Sequence, residues 1–253
     1  MATTLTPDTG EDTRAPERVG SGRKQSPLRW NWPGGLAAWI WLGIVIIPIY
    51  WILITSFKTS ANQFDTNPLR PPTDLTFENY KLVIQEHFIR YFLNSLIVTT
   101  GAVVPAVAVS FMAAYAIVRG RGKFLWSVNA LFLAGLAIPL QATIIPVYLI
   151  IIKLKLYDTL LAIILPSIAF ALPLSVLVLT NFIRDVPNEL FESMRVDGAS
   201  EWKTLWYLAF PLSRPALVTV TIYEGLLIWN GFLLPLILTQ SPDKRVLPLA
   251  LAA

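Results

Sequence analysis

Two polar side chains lie inside long apolar stretches, and they are the first candidates for chemistry. Glu224 is the only charged residue between Pro215 and Pro242. A carboxyl group at membrane depth is costly when it faces lipid, so Glu224 is expected to face the interior of a helical bundle or a cavity. There it has either a role in a solute pathway or a structural role, as a neutral group or paired with a hydroxyl such as that of Thr219, Thr221 or Tyr223.

Gln141 is the second candidate because it lies between Pro139 and Pro146, which predict an irregular helix. Broken helices at membrane depth usually line a cavity. A simple packing kink is the alternative, and the local sequence does not choose between the two.

Several classes of chemistry are excluded by composition. The chain has no cysteine and a single histidine, His87, so disulfides, thiol nucleophiles and Cys/His metal sites are ruled out. It lacks the G-x-x-x-x-G-K-[ST] phosphate cradle. The apolar stretches hold no carboxylate pair and no Ser/His pairing, which argues against a membrane-embedded enzyme. A net charge of +4 gives no support to nucleic-acid binding.

The distribution of charge predicts the elements that carry these side chains. Of the 253 residues, 55% are hydrophobic and 14% are charged, against roughly 25% charged in a soluble domain. The charged residues are separated by long uncharged stretches. Each stretch is long enough for a helix that crosses a hydrocarbon core of about 30 Å. The apolar residues are consecutive rather than alternating, which excludes a β-barrel. The sequence predicts an all-α membrane protein, a polytopic bundle with five spans at about 36–57, 91–118, 124–152, 159–183 and 215–241.

The basic residues predict the orientation of the bundle. Residues 1–33 have no apolar signal-peptide core and are expected to form a disordered tail. With this tail in the cytoplasm, twelve lysine and arginine side chains lie inside and eight outside, as the positive-inside rule prefers. The short loop 119–123, with three basic residues and no acid, carries most weight. The remaining residues, 34–253, form the transmembrane domain.

The loop 184–214 then lies on the inner face and predicts two short helices. Asp185 and Pro187 suit a helix start, and Gly198 can end that helix because it adopts positive φ at low cost. Ser200 can cap a second helix, which Pro211 is expected to end. Leu190, Phe191 and Met194 form the apolar side of the first helix, and Trp202, Leu205, Trp206 and Ala209 form a stripe on the second. Such a hairpin lies on the membrane surface or docks a soluble partner, and the pattern alone leaves both open.

The identity of the residues in this loop favours docking. Residues 192–199, Glu-Ser-Met-Arg-Val-Asp-Gly-Ala, followed by Phe-Pro-Leu-Ser-Arg-Pro-Ala-Leu at 210–217, resemble the EAA signature of ABC importer permeases. The form is similar to that of the carbohydrate-uptake branch, the maltose-type permease subunits. Other matching segments are Thr55–Lys58, Asn94–Val98, Ala113–Ala116 and Trp229–Leu236, so the resemblance covers about residues 40–253.

The resemblance implies a helix-turn-helix coupling loop at 184–214, which seats in a cleft of a separate ATPase subunit. ATP and Mg²⁺ would bind that subunit, and this chain would bind no cofactor and catalyse no reaction. The implied partners are a second permease subunit, two ATPase subunits and an extracytoplasmic solute-binding protein, in the lipid of a prokaryotic inner membrane. The implied coupling residues are Glu192, Ser193, Met194, Asp197, Gly198, Ala199, Pro211 and Pro215.

The implied cargo is a sugar or oligosaccharide, for which the chain forms half of the pathway. Trp229 and Asn230 could stack on a sugar and hydrogen-bond to it, although Trp is also an ordinary interface anchor. An energy-independent channel or an ion-coupled carrier is the alternative. A carrier would be expected to place ionisable residues in several spans, and Glu224 alone qualifies.

The chain departs from the family pattern at two points. Ser193 and Met194 replace small residues of the E-A-A triplet, which makes this face of the helix bulkier. The family normally has a sixth span after 247–250, whereas this sequence stops at Ala253. We expect that span either to follow in a longer chain or to be absent.

Overall fold

A computed structural model describes residues 32–59, 69–72, 74–120 and 122–252. Regular structure in these residues is helical throughout. The chain divides into a unit ending at Thr76 and a second unit that begins at Phe77. The helices are α1 Trp32–Ser56, α2 Glu78–Gln85, α3 Phe88–Arg119, α4 Lys123–Gly135, α5 Leu140–Lys153, α6 Leu160–Arg184, α7 Asn188–Val196, α8 Glu201–Leu212, α9 Arg214–Trp229, α10 Leu233–Leu238 and α11 Leu247–Leu251.

The first unit consists of α1 and the segment that follows it. Helix α1 coincides with the predicted first span and starts at Trp32, inside the predicted tail. The rest of that tail, residues 1–31, and Arg121 of the basic loop lie outside the described residues. After α1, the backbone N–H of Thr76 donates to the carbonyl of Phe57 at 3.0 Å.

In the second unit, α3 and α6 pack along each other and form its centre. Both are long and apolar enough to cross a membrane, as is α1. Ala102 and Ala106, one turn apart on α3, are fully buried. At Gly101 an added Cβ would lie 3.1 Å from Ile164 on α6. Small residues therefore let the two backbones approach, as is usual between membrane helices.

The predicted third span, 124–152, is not one continuous helix. Helices α4 and α5 are joined by a break at 136–139 and are bent by 107° relative to each other. Pro139 precedes α5 and explains the break, because proline lacks an N–H and keeps the preceding residue out of helical conformation. Together the two helices pass the criteria for one broken span or a re-entrant loop.

The predicted fifth span, 215–241, also needs correction. Helix α9 ends at Trp229 after 16 residues, or about 24 Å, which is short of a hydrocarbon core of about 30 Å. The carbonyl of Leu226 accepts hydrogen bonds from both the backbone N–H of Asn230, at 3.1 Å, and its side-chain amide, at 2.8 Å, so Asn230 caps the end of the helix. After a break, α10 and α11 complete the described chain.

The connection between α10 and α11 is fixed to the turn between α5 and α6. The carboxylate of Asp158 accepts hydrogen bonds from the backbone N–H groups of Gln240 and Ser241, both at 2.9 Å, and from the hydroxyl of Ser241. These bonds stabilise the ionised form, so they hold the pKa of Asp158 below its ordinary value.

The same connection is also bound to the start of α3. The side-chain amide of Asn94 donates to the carbonyls of Asp243 and Arg245, each at 2.9 Å. The hydroxyl of Ser95 accepts from the backbone N–H of Leu247 at 2.8 Å. Residues 239–247 are therefore held at two separate places in the second unit.

Candidate coupling hairpin and interior cavity

Helices α7 and α8 form the predicted hairpin, and a local motif makes its corner. Gly198 has φ of +72°, its N–H donates to the carbonyl of Arg195 at 3.1 Å, and Ala199 N–H donates to Met194 at 2.9 Å. This pair of bonds is a Schellman C-cap. The hydroxyl of Ser200 then caps α8 by accepting from Lys203 N–H at 3.3 Å. Gly198 and Ser200 thus take the local roles predicted for them.

Pro211 does not end α8, contrary to the sequence prediction. A π-type turn at Leu205–Ala209 precedes it, and the N–H of Phe210 donates to the carbonyl of Leu205. The wider turn accommodates a proline inside the helix. The helix ends at Leu212, and the chain bends by 74° before α9, in which Pro215 occupies the first turn.

One side of the hairpin is buried against the ends of α3, α6 and α9. Phe191, Leu205 and Ala209 have exposed fractions of 2%, 4% and 0%. They join a single buried cluster, the inner cluster, with Phe111, Ala114, Tyr115, Leu179, Ile183, Ala216 and Val220. The hairpin is therefore packed onto the bundle through apolar contacts.

The predicted stripe on α8 is only half correct. Leu205 and Ala209 are buried as predicted, whereas Trp202 and Trp206 are exposed. The π-type turn adds a residue to the helical repeat and so rotates the buried face relative to the regular spacing. On α7, Phe191 is buried while Leu190 is exposed.

Polar contacts from α3 supplement the apolar ones. The hydroxyl of Tyr115 donates to Oε2 of Glu201 at 2.7 Å. The other carboxylate oxygen of Glu201 lies 3.5 Å from Nη2 of Arg195 on α7. One carboxylate thus contacts both α3 and α7 while it belongs to α8.

A second polar contact lies one turn further along α3. The guanidinium of Arg119 lies 4.2 Å from the ring centre of Phe191, within cation–π distance. It also donates to Oδ1 of Asn188 at 3.1 Å. Helix α3 therefore contacts α8 through Tyr115 and α7 through Arg119.

A cavity of about 440 Å³, the inner cavity, borders these contacts. Tyr115, Arg119 and Glu201 line it together with Met112, Ala116, Gly120, Leu125, Trp202 and Leu205. The space between the end of α3 and the start of α8 is therefore incompletely filled.

The opposite side of the hairpin is open and carries most of the predicted coupling residues. Glu192, Ser193, Asp197 and Gly198 are exposed, and Met194 and Ala199 are half-buried. Pro211 is half-buried and Pro215 is exposed at the joint with α9. The corner of the hairpin, with Val196 at 87% exposed, is its most accessible part.

The interior cavity, of about 280 Å³, lies between α5, α6, α9 and α10. Glu224 lines it and is only 4% exposed, as predicted for a carboxyl group facing the interior. The hydroxyl of Ser175 on α6 donates to Glu224 Oε1 at 3.3 Å. The other lining residues are Leu140, Ile163, Ser167, Phe170, Ala171, Leu227, Ile228, Gly231, Phe232, Leu233, Leu234 and Pro235.

The other three predicted pathway residues do not line this cavity. Gln141 follows the break before α5 but is exposed, and its neighbour Leu140 lines the cavity instead. Trp229 packs edge-to-face on Phe92, with ring centres 5.4 Å apart. Asn230 is exposed and bonds to the end of its own helix.

Several side chains of these sites have no signal in the local sequence. Ser175 is 49 positions from Glu224, and Tyr115 is 86 positions from Glu201. Tyr115 lies in the segment 113–116, which resembles the family sequence, but that resemblance does not predict its contact with Glu201. Within the described part of the chain, no three His, Cys, Asp or Glu side chains are grouped to hold a metal ion.

Comparison with known proteins gives concordant findings for sequence and fold. Residues 106–252 match the family described as binding-protein-dependent transport system inner membrane component. The chain is 34% identical to the diacetylchitobiose uptake system permease protein NgcG of Streptomyces coelicolor, over 85% of this chain and 71% of that protein. It is 31% identical to the arabinooligosaccharides transport system permease protein AraQ of Halalkalibacterium halodurans, over 91% of this chain and 83% of the relative.

The helical arrangement is similar to that of a chain in a crystal structure of a bacterial ABC transporter involved in the import of the acidic polysaccharide alginate. The TM-score is 0.75 at 23% identity, and the match covers 90% of this chain and 81% of the other. This likeness concerns the fold.

Proposed function

We propose that the chain carries a sugar or oligosaccharide across the membrane. The premise is its family: the chain belongs to the binding-protein-dependent transport system inner membrane component family. As a member, it is a permease subunit of an ABC importer, a non-enzymatic component of the inner membrane that works with an ATPase and a solute-binding protein. This membership replaces the alternative of an energy-independent channel or an ion-coupled carrier. Relatives named for diacetylchitobiose and arabinooligosaccharides support a carbohydrate cargo.

The interior cavity is the proposed place of contact with the cargo. Its walls are mainly apolar, with the rings of Phe170 and Phe232 and the buried carboxyl group of Glu224. A few polar groups in an apolar wall are typical of small-molecule sites. Gln141, Trp229 and Asn230 lie near or beyond the helix breaks, and we keep them as secondary pathway candidates in the assembled transporter.

The exposed corner of the hairpin is the proposed contact with the ATPase. The observation that carries this proposal is the division of the hairpin into two sides. Phe191 and Leu205 are buried against the bundle. Glu192, Ser193 and Asp197 are exposed and accessible to a partner. The buried side chains Phe191 and Leu205 are not available for contact with lipid, which disfavours the membrane-surface interpretation.

The joint after the hairpin supports transmission of movement into the bundle. The chain bends by 74° at Ser213, between Pro211 in α8 and Pro215 in α9. Glu224 lies further along α9. A displacement of the hairpin by the ATPase would thus act directly on the helix that carries the cavity carboxyl group.

The proposed assembly contains this chain, a second permease subunit, two ATPase subunits and an external solute-binding protein. ATP and Mg²⁺ bind the ATPase subunits. The N-terminus lies in the cytoplasm, with the five spans arranged as predicted within residues 34–253, two of them broken. This orientation places the 184–214 loop on the cytoplasmic side, where an ATPase can reach it.

The test is to tag the chain in its native host and purify the complex. We expect an ATPase to co-purify and vanadate to block uptake of at least one solute from a panel of glucose, maltotriose, diacetylchitobiose and arabinotriose. The variant Glu192→Lys should reach the membrane but lose the ATPase, whereas Glu86→Lys, a matched reversal on an exposed residue after α2, should keep it. An intact complex in Glu192→Lys would contradict the docking role.

A further inference from the structure

The hairpin is fastened to α3 by two polar contacts one helical turn apart. Tyr115 and Arg119 occupy positions i and i+4 and therefore project from the same face of α3. Tyr115 donates to Glu201 at the start of α8, and Arg119 lies over Phe191 of α7. Each helix of the hairpin thus has its own attachment to the end of a long span.

Glu201 differs from the other residues of these contacts because its carboxylate contacts two other helices. Its Oε2 accepts from Tyr115 on α3 at 2.7 Å, and its Oε1 lies 3.5 Å from Arg195 on α7. The two helices of the hairpin meet at Gly198, whose φ of +72° lies in a region that favours glycine. The carboxylate therefore connects both arms of this corner to α3.

The apolar packing alone does not define the orientation of α8 against α3. Burial of Leu205 is non-directional, since it depends on area removed from water rather than on angle. The inner cavity of about 440 Å³ adjoins the start of α8, so side chains do not fill the space beside Glu201. A hydrogen bond is directional, with a strong preference for a near-linear geometry. The Tyr115–Glu201 bond therefore sets the orientation that the apolar contacts leave free.

We infer that Glu201 is a positioning residue for energy coupling. With Tyr115 it locks α8 to α3, so that displacement of the hairpin moves α3 instead of rotating the hairpin into the inner cavity. Glu201 itself contacts neither cargo nor nucleotide. This inference rests on the proposed docking of an ATPase at the hairpin.

Functional variants test the inference in the complete transporter reconstituted in proteoliposomes. Tyr115→Phe removes only the hydroxyl and leaves the ring in the inner cluster, and Glu201→Ala removes the acceptor. We expect the solute taken up per ATP hydrolysed to fall at least about fivefold in each, with the ATPase still bound and active. Tyr207→Phe is the matched control, because this tyrosine of α8 is 78% exposed.

Two further variants separate positioning from loss of structure. Glu201→Gln keeps an oxygen that accepts from Tyr115, so we expect it to recover most of the coupling that Glu201→Ala loses. The double variant Tyr115→Phe/Glu201→Ala should be no worse than Glu201→Ala alone, because Tyr115→Phe removes a bond that Glu201→Ala has already removed. Additive losses would show that the two residues act independently.

A distance measurement tests the lock without transport. The chain has no native cysteine, so nitroxide labels at Val109→Cys on α3 and Tyr207→Cys on α8, both exposed positions, are specific in this subunit. Reactive cysteines of the partner subunits are first removed. The distance between the two labels, measured by pulsed electron–electron double resonance, should then be the same without nucleotide and after vanadate trapping with ATP. In Glu201→Ala it should broaden or shift after trapping.

Failure of the inference is distinguishable from failure of the proposed function. If the native complex shows no ATP-dependent uptake in the solute panel, the proposed function fails. If the native complex couples normally and Tyr115→Phe and Glu201→Ala couple equally well with unchanged distances, the positioning role of Glu201 is overturned while the proposed function stands.

Discussion

Ser175 on α6 donates its hydroxyl proton to Oε1 of Glu224 on α9 across 3.3 Å, and both side chains are buried. Glu224 lines the interior cavity, whereas Ser175 is not among the lining residues. One oxygen of the carboxyl group is thereby held by the protein. We propose that the other oxygen contacts a hydroxyl-rich cargo, and this division of roles can be tested at both residues.

The substitution Glu224→Gln preserves size and an acceptor for Ser175 but removes the carboxyl group. If Glu224 contacts the cargo, we expect the KM of uptake to rise about fivefold or more, since a buried polar group that loses its hydrogen-bond partner costs about 1–3 kcal/mol. Initial rates of uptake in proteoliposomes measure this. Ser175→Ala is the matched control and should have the smaller effect. Unchanged KM and basal ATPase rate in Glu224→Gln would assign Glu224 a structural role.

The corner of the hairpin is expected to depend on its backbone rather than on space around Gly198. No atom lies within 4 Å of an added Cβ, but φ is +72°. A β-branched residue in that conformation costs roughly 1–2 kcal/mol, so Gly198→Val should disturb the corner and abolish uptake although the protein reaches the membrane.

The matched variant at this corner is Gly198→Asn, because asparagine adopts positive φ more readily. We expect it to retain most of the uptake and to co-purify with the ATPase. Equal loss in both variants would mean that the corner requires the absence of a side chain, and normal uptake in Gly198→Val would argue against the docking role.

The features predicted correctly from the sequence are those determined by neighbours in the chain. Uncharged apolar runs are enough to predict α3 and α6, because each must span the membrane alone. The Schellman cap at Gly198 and the Ser200 cap involve residues at most five positions apart. Pro139 correctly predicted an irregularity before Gln141, since proline acts on its own turn.

The features that were missed depend on tertiary contacts or on small irregularities. No proline marks the end of α9 at Trp229, and the π-type turn at Leu205–Ala209 interrupts the regular spacing on which the predicted stripe of α8 depends. The Tyr115–Glu201 bond joins helices far apart in the chain. A single sequence carries no record of which distant side chains meet.

Asp158 should make the stability of the bundle depend on pH. Its pKa is lower in the folded state, because Ser241 and the neighbouring N–H groups stabilise the carboxylate, than in the unfolded chain, where it is about 3.9. The ionised carboxylate therefore contributes stability above pH 4, and this contribution is lost as the pH falls through the folded-state pKa.

The variant Asp158→Asn tests this dependence and suits the φ of +60° at this position. We expect its Tm in detergent to lie below that of the native protein at pH 7, and the two curves to converge in acid. Ser241→Ala, which removes one of the donors, should show part of the effect. A Tm difference that stays constant from pH 7 to the acid limit would refute the role of the ionised carboxylate.

Gly135 and Gly225 should respond in opposite directions to the same change. At Gly135, at the end of α4, an added Cβ would lie 2.9 Å from Cγ of Pro173 on α6, and the proline ring cannot move aside without shifting the helix. Gly135→Ala should therefore destabilise the protein, by about 1–3 kcal/mol as for an overpacked core. At Gly225, in α9, an added Cβ would meet no atom of another helix within 4 Å among the described residues, so Gly225→Ala should stabilise by about 0.5–1 kcal/mol. Thermal unfolding in detergent measures both, and a higher Tm in Gly135→Ala would mean that α4 is not held against Pro173 beside the 136–139 break.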